Sequence, residues 1–309
     1  MILCCGEALI DFLPRQGADG AFVYQPFNGG SIYNTAVALG RLDVPTGFFG
    51  GVSTDFFGDS LAEGLAESKV SLRYVKRKEL HTTLAFVKLE DGHARYSFVD
   101  EASAARNLLK KDMPKLPKAV TALHFGSISL IPEPCGGTYE ALAKREHKSK
   151  VICIDPNIRA SLISRQKRKQ HQIRLFGIMS IADIIKISDE DVFWITKSKK
   201  LSNFGKAWIK RGAKIVAITK GGDGVEIYTK DFSFSMNVPK VKVVDTVGAG
   251  DTFTAGLLTY LHRIKKLTKK ALAQIDEATL KEAAQFAMNA AAITCSRAGA
   301  NPPWTKEMK

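Results

Sequence analysis

Four short runs of almost unbroken apolar residues recur from residue 122 onward: ALHFGS (122–127), KVICIDP (150–156), DIIKIS (183–188) and KIVAITKG (214–221). A strand with one wet face alternates apolar and polar residues, whereas a strand that is apolar throughout must be covered on both sides. Helix-patterned stretches separate these runs. The expected fold class is therefore α/β, with a mostly parallel sheet and helices on both faces. ILCCGEALIDFL at the start reads as one further buried strand, with Glu7 and Asp11 toward its end. FNGGSIYNTAVALGRL reads as a Gly-Gly turn opening an Ala-rich helix, PTGFFGGV as a short strand, and DFFGDSLAEGLAESKV as an amphipathic helix. GVEIYT and DFSFSMNV suggest a hairpin, and two Ala-rich helices are expected at 250–264 and 279–294.

Residues 72–100 break this rhythm. SLRYVKRK, TTLAFVKLE and ARYSFVD are three β-rich runs, and Asp91-Gly92 is a hairpin signal between the last two. Together with the polar, Gly-containing segment 12–26 they would form a small sheet inserted into the α/β core. Such a sheet can cover a site as a lid or merely shield an edge, and the lid is the preferred reading. With no repeat or linker to divide it, 1–309 is read as one domain.

Composition bears on partners. The 309 residues carry 45 Lys+Arg against 31 Asp+Glu, a formal net charge of +14. The excess lies in residues 101–309, with 36 basic and 19 acidic residues, while residues 1–100 hold 9 and 12. The basic clusters KREHKSK (144–150), RQKRK (165–169), KSKK (197–200) and HRIKKLTKK (262–270) adjoin helix-like stretches, with no interleaved aromatics to stack bases. They read as solvated surface, so no nucleic-acid partner is expected. Five cysteines without a CxxC suggest neither a disulfide framework nor a zinc site. The N-terminal segment lacks a basic region before its apolar stretch and does not read as a signal peptide. No apolar run is long enough for a transmembrane helix, so no membrane partner and a cytoplasmic location are expected.

The most informative stretch is DTVGAGDTFTAGLL, Asp245 to Leu258. Gly248, Ala249 and Gly250 precede a helix, so backbone N–H groups and the helix N-terminus form a cradle for an anion. Asp251 then stands where a carboxylate would repel that anion. A base that accepts a hydroxyl proton explains it; a helix N-cap is the competing reading. No GxxxxGK[ST] loop and no GxGxxG after a strand occurs, so nucleotide chemistry needs another architecture. TKGGDG (Thr219 to Gly224) fits a phosphate loop or a plain turn. FNGGSIYN (Phe27 to Asn34) has the same ambiguity. DPNIR (Asp155 to Arg159) and KISDED (Lys186 to Asp191) end apolar strands, where open α/β sheets bind ligands.

These motifs, with the closing AITCSRAGAN, resemble the ribokinase-like (PfkB) family of carbohydrate kinases along essentially the whole chain. FGSISLIPEP, DPNIR and KISDED are most similar to its bacterial fructokinase branch. The resemblance implies a three-layer ribokinase-like sandwich with a small β-sheet lid. It implies transfer of phosphate from ATP, with Mg²⁺, to a small sugar, D-fructose first. Asp251 would be the base, and Gly248, Ala249 and Gly250 the anion hole. Asp11, Gly29, Gly30, Asn34, Phe98, Asp100, Asn157 and Arg159 would face the sugar. Thr219, Gly221, Gly224, Lys186 and Asn289 would bind the nucleotide. Asp191 would hold Mg²⁺ through water, and Asp245, Val247 and Gly299 would surround a monovalent cation such as K⁺. A homodimer through the lid is a further expectation.

Three elements depart from the family pattern: the N-terminal signature, the N-x-x-E element and the stretch after the aromatic strand of the small sheet. Ile32 or Tyr33 stands where a small residue is usual, and Asp43 where a Gly is usual. The family's N-x-x-E element is S-D-E-D here, Ser188 to Asp191, which implies altered Mg²⁺ handling. Asp100 stands near where relatives carry Arg, which would disfavour an anionic substrate. The alternatives are a kinase for another sugar or a sugar acid such as 2-keto-3-deoxygluconate, and a non-catalytic nucleotide or polyanion binder.

Overall fold

The computed structural model describes residues 1–17, 20–90 and 93–308. In chain order the elements are β1 (Ile2–Cys5), β2 (Leu9–Gln16), β3 (Phe22–Gly29), α1 (Ser31–Arg41), β4 (Thr46–Phe49), β5 (Gly51–Ser53), α2 (Phe56–Glu67), β6 (Val70–Ser71) and β7 (Lys76–Lys78). There follow β8 (Leu84–Glu90), β9 (His93–Val99), β10 (Ala122–Gly126), α3 (Cys135–Glu146), β11 (Val151–Asp155), α4 (Arg168–Met179), β12 (Ile184–Ser188), α5 (Asp189–Thr196) and α6 (Leu201–Lys210). The chain closes with β13 (Ile215–Thr219), β14 (Val225–Tyr228), β15 (Ser233–Met236), α7 (Ala249–Arg263), α8 (Lys269–Leu272) and α9 (Glu277–Cys295).

The main sheet runs in the order β15-β14-β13-β12-β11-β10-β1-β4-β6. Its strands from β13 to β6 are parallel, and the predicted hairpin β14–β15 completes the far edge in antiparallel sense. The apolar runs occupy the middle of the sheet. Alternate residues feed two cores: Ile184 packs with α7 and α9, and Ile185 with α3, α4 and α6 on the other face. Cys4, Cys5 and Cys153 are buried packing residues. Among the described residues no helix is long and apolar enough to cross a membrane.

The predicted opening strand is in fact two. β1 ends at Cys5 in the main sheet, and β2 begins at Leu9 in a second sheet of order β3-β2-β8-β9. Gly6 makes the break: a Cβ there would lie 2.4 Å from Ile32 Cγ1, and its carbonyl accepts a hydrogen bond from the Tyr139 hydroxyl. The second sheet also corrects the lid. SLRYVKRK is not in it; β7 pairs with β5 instead, and only β8 and β9 join the 9–29 hairpin. Glu90 faces His93 across the β8–β9 pair, while the Asp91-Gly92 turn itself lies outside the described residues. Asp43 sits at φ 58, in the left-handed region where a Gly is easiest.

The basic clusters are spent on the outer layer. Lys144 pairs with Glu140 and Arg145 with Glu146, Lys150 donates to the Pro117 and Val120 carbonyls, Arg168 lies over the Trp194 ring, and Lys269 pairs with Asp183.

α7 and α9 approach closely at Gly256, where a Cβ would meet Ala287 Cα at 2.6 Å. Gly256→Val should lower the unfolding free energy by about 1–3 kcal/mol through overpacking. A urea midpoint equal to the parent's would show that this contact is not tight.

Candidate active site

The C-terminal ends of β11, β12 and β13, the α1 and α7 N-termini and the inner face of the small sheet enclose one cleft of about 720 Å³. Open parallel sheets place ligands at this end because strand ends and helix N-termini converge there. Of the predicted site residues, Asp11, Gly30, Asn34, Phe98, Asn157, Arg159, Lys186, Asp191, Thr219, Gly221, Gly224, Val247, Gly248, Ala249, Gly250 and Asp251 all line it.

Asp251 is the best-determined member. It lies in the first turn of α7, whose N-cap is Gly248 at φ 76, so the N-cap reading of Asp251 fails. Its carboxylate instead accepts from Ser31 Oγ at 2.6 Å and from Asn34 Nδ2 at 3.0 Å, both on α1. Asn157, itself at φ 39, donates to Ser31 Oγ at 2.8 Å and extends the chain of hydrogen bonds to the loop after β11. Burial raises the Asp251 carboxyl above its ordinary range, partly offset by these two donors. Such a carboxylate is a stronger proton acceptor than one in water.

Asp11 projects from β2 into the cleft. Burial pushes it up to about 7, against the pull of the Arg159 charge. Gly29, expected to touch the sugar, instead makes room for Asp11: a Cβ there would fall 2.1 Å from Asp11 Oδ2. Gly30 at φ 101 is the N-cap of α1 and offers no side-chain cap. Glu7 supplies one from the break between β1 and β2, accepting from the Ile32 N–H at 3.4 Å. Glu7 is pushed up to about 7, mainly by burial.

On the other side, Asp155 and Lys186 face each other across β11 and β12 as a buried pair at 2.8 Å. Asp191 accepts from the Ile158 N–H and is pushed up to about 7 by burial and by Asp155. Ser188 caps α5 by accepting from the Asp191 N–H. Gly221 at φ 52 borders open space, and Gly224 at φ 94 leaves no room for a Cβ against the Met236 carbonyl. Asp245 accepts from the Val247 and Gly299 N–H groups, which ties the loop before α7 to the C-terminal segment.

Five predicted residues do not line the cleft: Gly29, Asp245 and Gly299, described above, and Asp100 and Asn289. Asp100 accepts from Thr83 and Ser103 and lies 3.8 Å from Arg106, fixing the turn after β9, and is not among the described lining residues. Asn289 accepts from Gln285, while Met288, Ala291, Ala292 and Cys295 form the face of α9 that meets the cleft. Sequence reasoning missed Ser31, Glu7 and Asp155. All three sit inside stretches already noticed, and only their packing against other elements marks them out.

Comparison with known proteins places this geometry. Residues 1–307 match the pfkB family carbohydrate kinase profile. The chain is 47% identical over 281 residues to the fructokinase of Rhizobium leguminosarum bv. trifolii, covering 91% of this chain and 86% of that protein. The fructokinase of Xylella fastidiosa with bound ATP superposes at a TM-score of 0.89 with 26% identity, over 99% of this chain and 96% of that one. The Vibrio cholerae O395 fructokinase, in a form with fructose, ADP and calcium ion bound, superposes at 0.83 with 27% identity, over 97% and 94%.

The pKa directions give a stability test. Glu7 has its folded value raised to about 7 from 4.5, so its protonated form favours the folded state. That contribution is full below about pH 4.5 and is lost as pH rises through about 7. Buried His124, lowered to about 4, pulls the opposite way over part of this range, so a difference measurement is needed. The unfolding free energy of the parent minus that of Glu7→Gln should fall between pH 5 and pH 7 and level off above. A pH-independent difference in urea denaturation would refute the assignment.

Proposed function

The chain belongs to the pfkB family of carbohydrate kinases, and from that membership we propose the following account of its chemistry. It transfers the γ-phosphoryl group of ATP to D-fructose, giving fructose 6-phosphate and ADP. The 47% identity to a bacterial fructokinase and the likeness to fructokinases with ATP or fructose and ADP bound support this substrate pair. The observation that carries the mechanism is Asp251, buried at an anion cradle with one donor on each carboxylate oxygen.

Asp251 takes the proton of the attacking fructose hydroxyl. Ser31 and Asn34 hold its carboxylate in place, with Asn157 behind Ser31. The backbone of Gly248, Ala249 and Gly250 receives the charge of the transferred phosphoryl group at the α7 N-terminus. Asp11, Gly30, Phe98 and Arg159 face the sugar, and Thr219, Gly221 and Gly224 the nucleotide. The acids at the sugar end, Glu7 and Asp11, replace Asp100 as the reason to favour a neutral sugar over a sugar acid. The small sheet acts as a lid on a single kinase domain and limits wasteful hydrolysis by excluding water.

The donor set fits Mg²⁺ carried on the ATP phosphates. Asp155 Oδ1 is a buried oxygen without a partner among the described residues, and Asp191 lies in the same cleft. Asp191 would hold the ion through water, and the ion would neutralise phosphate charge. The carbonyls around Asp245, Val247 and Gly299 are the place for a monovalent cation. A homodimer through the lid would use β3, where Phe22, Val23 and Tyr24 are exposed. Free, mostly buried cysteines suit a reducing cytoplasm.

A coupled ADP-release assay over neutral sugars and sugar acids tests the reading. D-fructose should give the highest kcat/KM, and Asp251→Asn should lower kcat by about 10³-fold. Faster turnover of 2-keto-3-deoxygluconate, or an active Asp251→Asn variant, would overturn it.

A further inference from the structure

Lys186 occupies an electrostatically awkward place. Its side chain leaves the middle of β12, is 4% exposed, and reaches the first turn of α7: a Cβ on Gly250 would stand 2.8 Å from its Nζ. The N-terminal end of a helix carries partial positive charge, so a cation there is unfavourable on its own. Asp155 answers part of the problem at 2.8 Å. Yet an ammonium has three N–H bonds, and Asp155 Oδ2 is its one hydrogen-bond acceptor among the described residues. The Nζ that carries its remaining N–H bonds lies beside Gly250, in the cleft that Gly248, Ala249 and Gly250 also line. Gly250 is the position where any side chain would displace the ammonium. A buried cation with unspent donors beside backbone donors calls for an anion.

We propose that Lys186 is a catalytic residue that contacts a non-bridging oxygen of the phosphoryl group during transfer, with Asp155 as the residue that positions it. This rests on the kinase reading given above. In the step, the fructose hydroxyl oxygen bonds to the γ-phosphorus as Asp251 takes its proton. The bond from phosphorus to the bridging oxygen breaks, and its electron pair leaves with ADP. Lys186 keeps its protons throughout and stabilises the charge that accumulates on the transferred group. Its ammonium stays charged there: burial pulls it down, but Asp155, then Asp251 and Asp191, hold it above the ordinary lysine range.

Lys186→Met alone would strand the Asp155 carboxylate in the interior and could unfold the chain. The double variant Asp155→Asn/Lys186→Met removes both charges and keeps similar volumes. It should fold, with kcat for fructose at least about 100-fold below the parent and KM values for fructose and ATP within a few-fold. Its affinity for ADP with aluminium fluoride and fructose should fall by a similar factor, while affinity for ADP alone holds. Asp155→Asn, which keeps the ammonium, should retain at least ten times the kcat of the double variant. A double variant within about three-fold of the parent kcat, or one whose loss lies in KM, overturns the catalytic role while the kinase reading stands. A parent that phosphorylates no sugar overturns both.

Discussion

A carboxylate buried at the positive end of a helix is the constraint around which this molecule is arranged. Asp251 keeps its place because α1 brings Ser31 and Asn34 to within hydrogen-bond distance. That contact requires α1 and α7 to share one face of the sheet, and α7 to lie tightly on α9 through Gly256 and Ala287. α1 in turn starts at Gly30, which has no capping side chain of its own, and Glu7 supplies an acceptor from the gap between two strands. Asp251, its two donors and the cap therefore form one connected unit assembled from opposite ends of the chain.

Charge is sorted within the same cleft. Asp11, Glu7 and Asp191 are each pushed up to about 7, mainly because burial penalises their charged forms. Arg159, Lys186 and Lys240 are the basic residues lining the cleft among the described residues, whereas Lys144, Arg145 and Lys150 of the 144–150 cluster pair with acids or carbonyls on the outer layer. The net charge of +14 thus describes the surface and leaves the cleft acidic at one end. Asp11 and the α7 N-terminus present opposite local fields within one cleft.

Much of the site was legible because its motifs are local. A Gly-rich turn before a helix, with an acid inside it, signals an anion cradle and a base within seven residues, Asp245 to Asp251. DPNIR, KISDED and TKGGDG were legible because each ends an apolar strand, and strand ends share one edge of a parallel sheet. What failed was orientation. Asn289 lies one residue from the face of α9 that meets the cleft, and a helix turns about 100° per residue. Asp100 directly follows β9, but Thr83 and Ser103 claim its carboxylate. The break at Gly6 was hidden because the apolar pattern continues across it while the backbone moves from one sheet to another.

The sequence by itself determined the α/β class, the covered parallel strands, the cradle at Gly248–Gly250 and the acid beside it, since each follows from short-range pattern and the conformational needs of glycine. Only the tertiary structure decided what each polar group does. Asn34 holds Asp251, Gly29 makes room for Asp11, Glu7 caps α1, and Asp155 faces Lys186 beneath the α7 N-terminus. These roles join residues as far as 217 positions apart. Burial and hydrogen-bond geometry between such distant groups depend on packing in three dimensions, which no local spacing encodes.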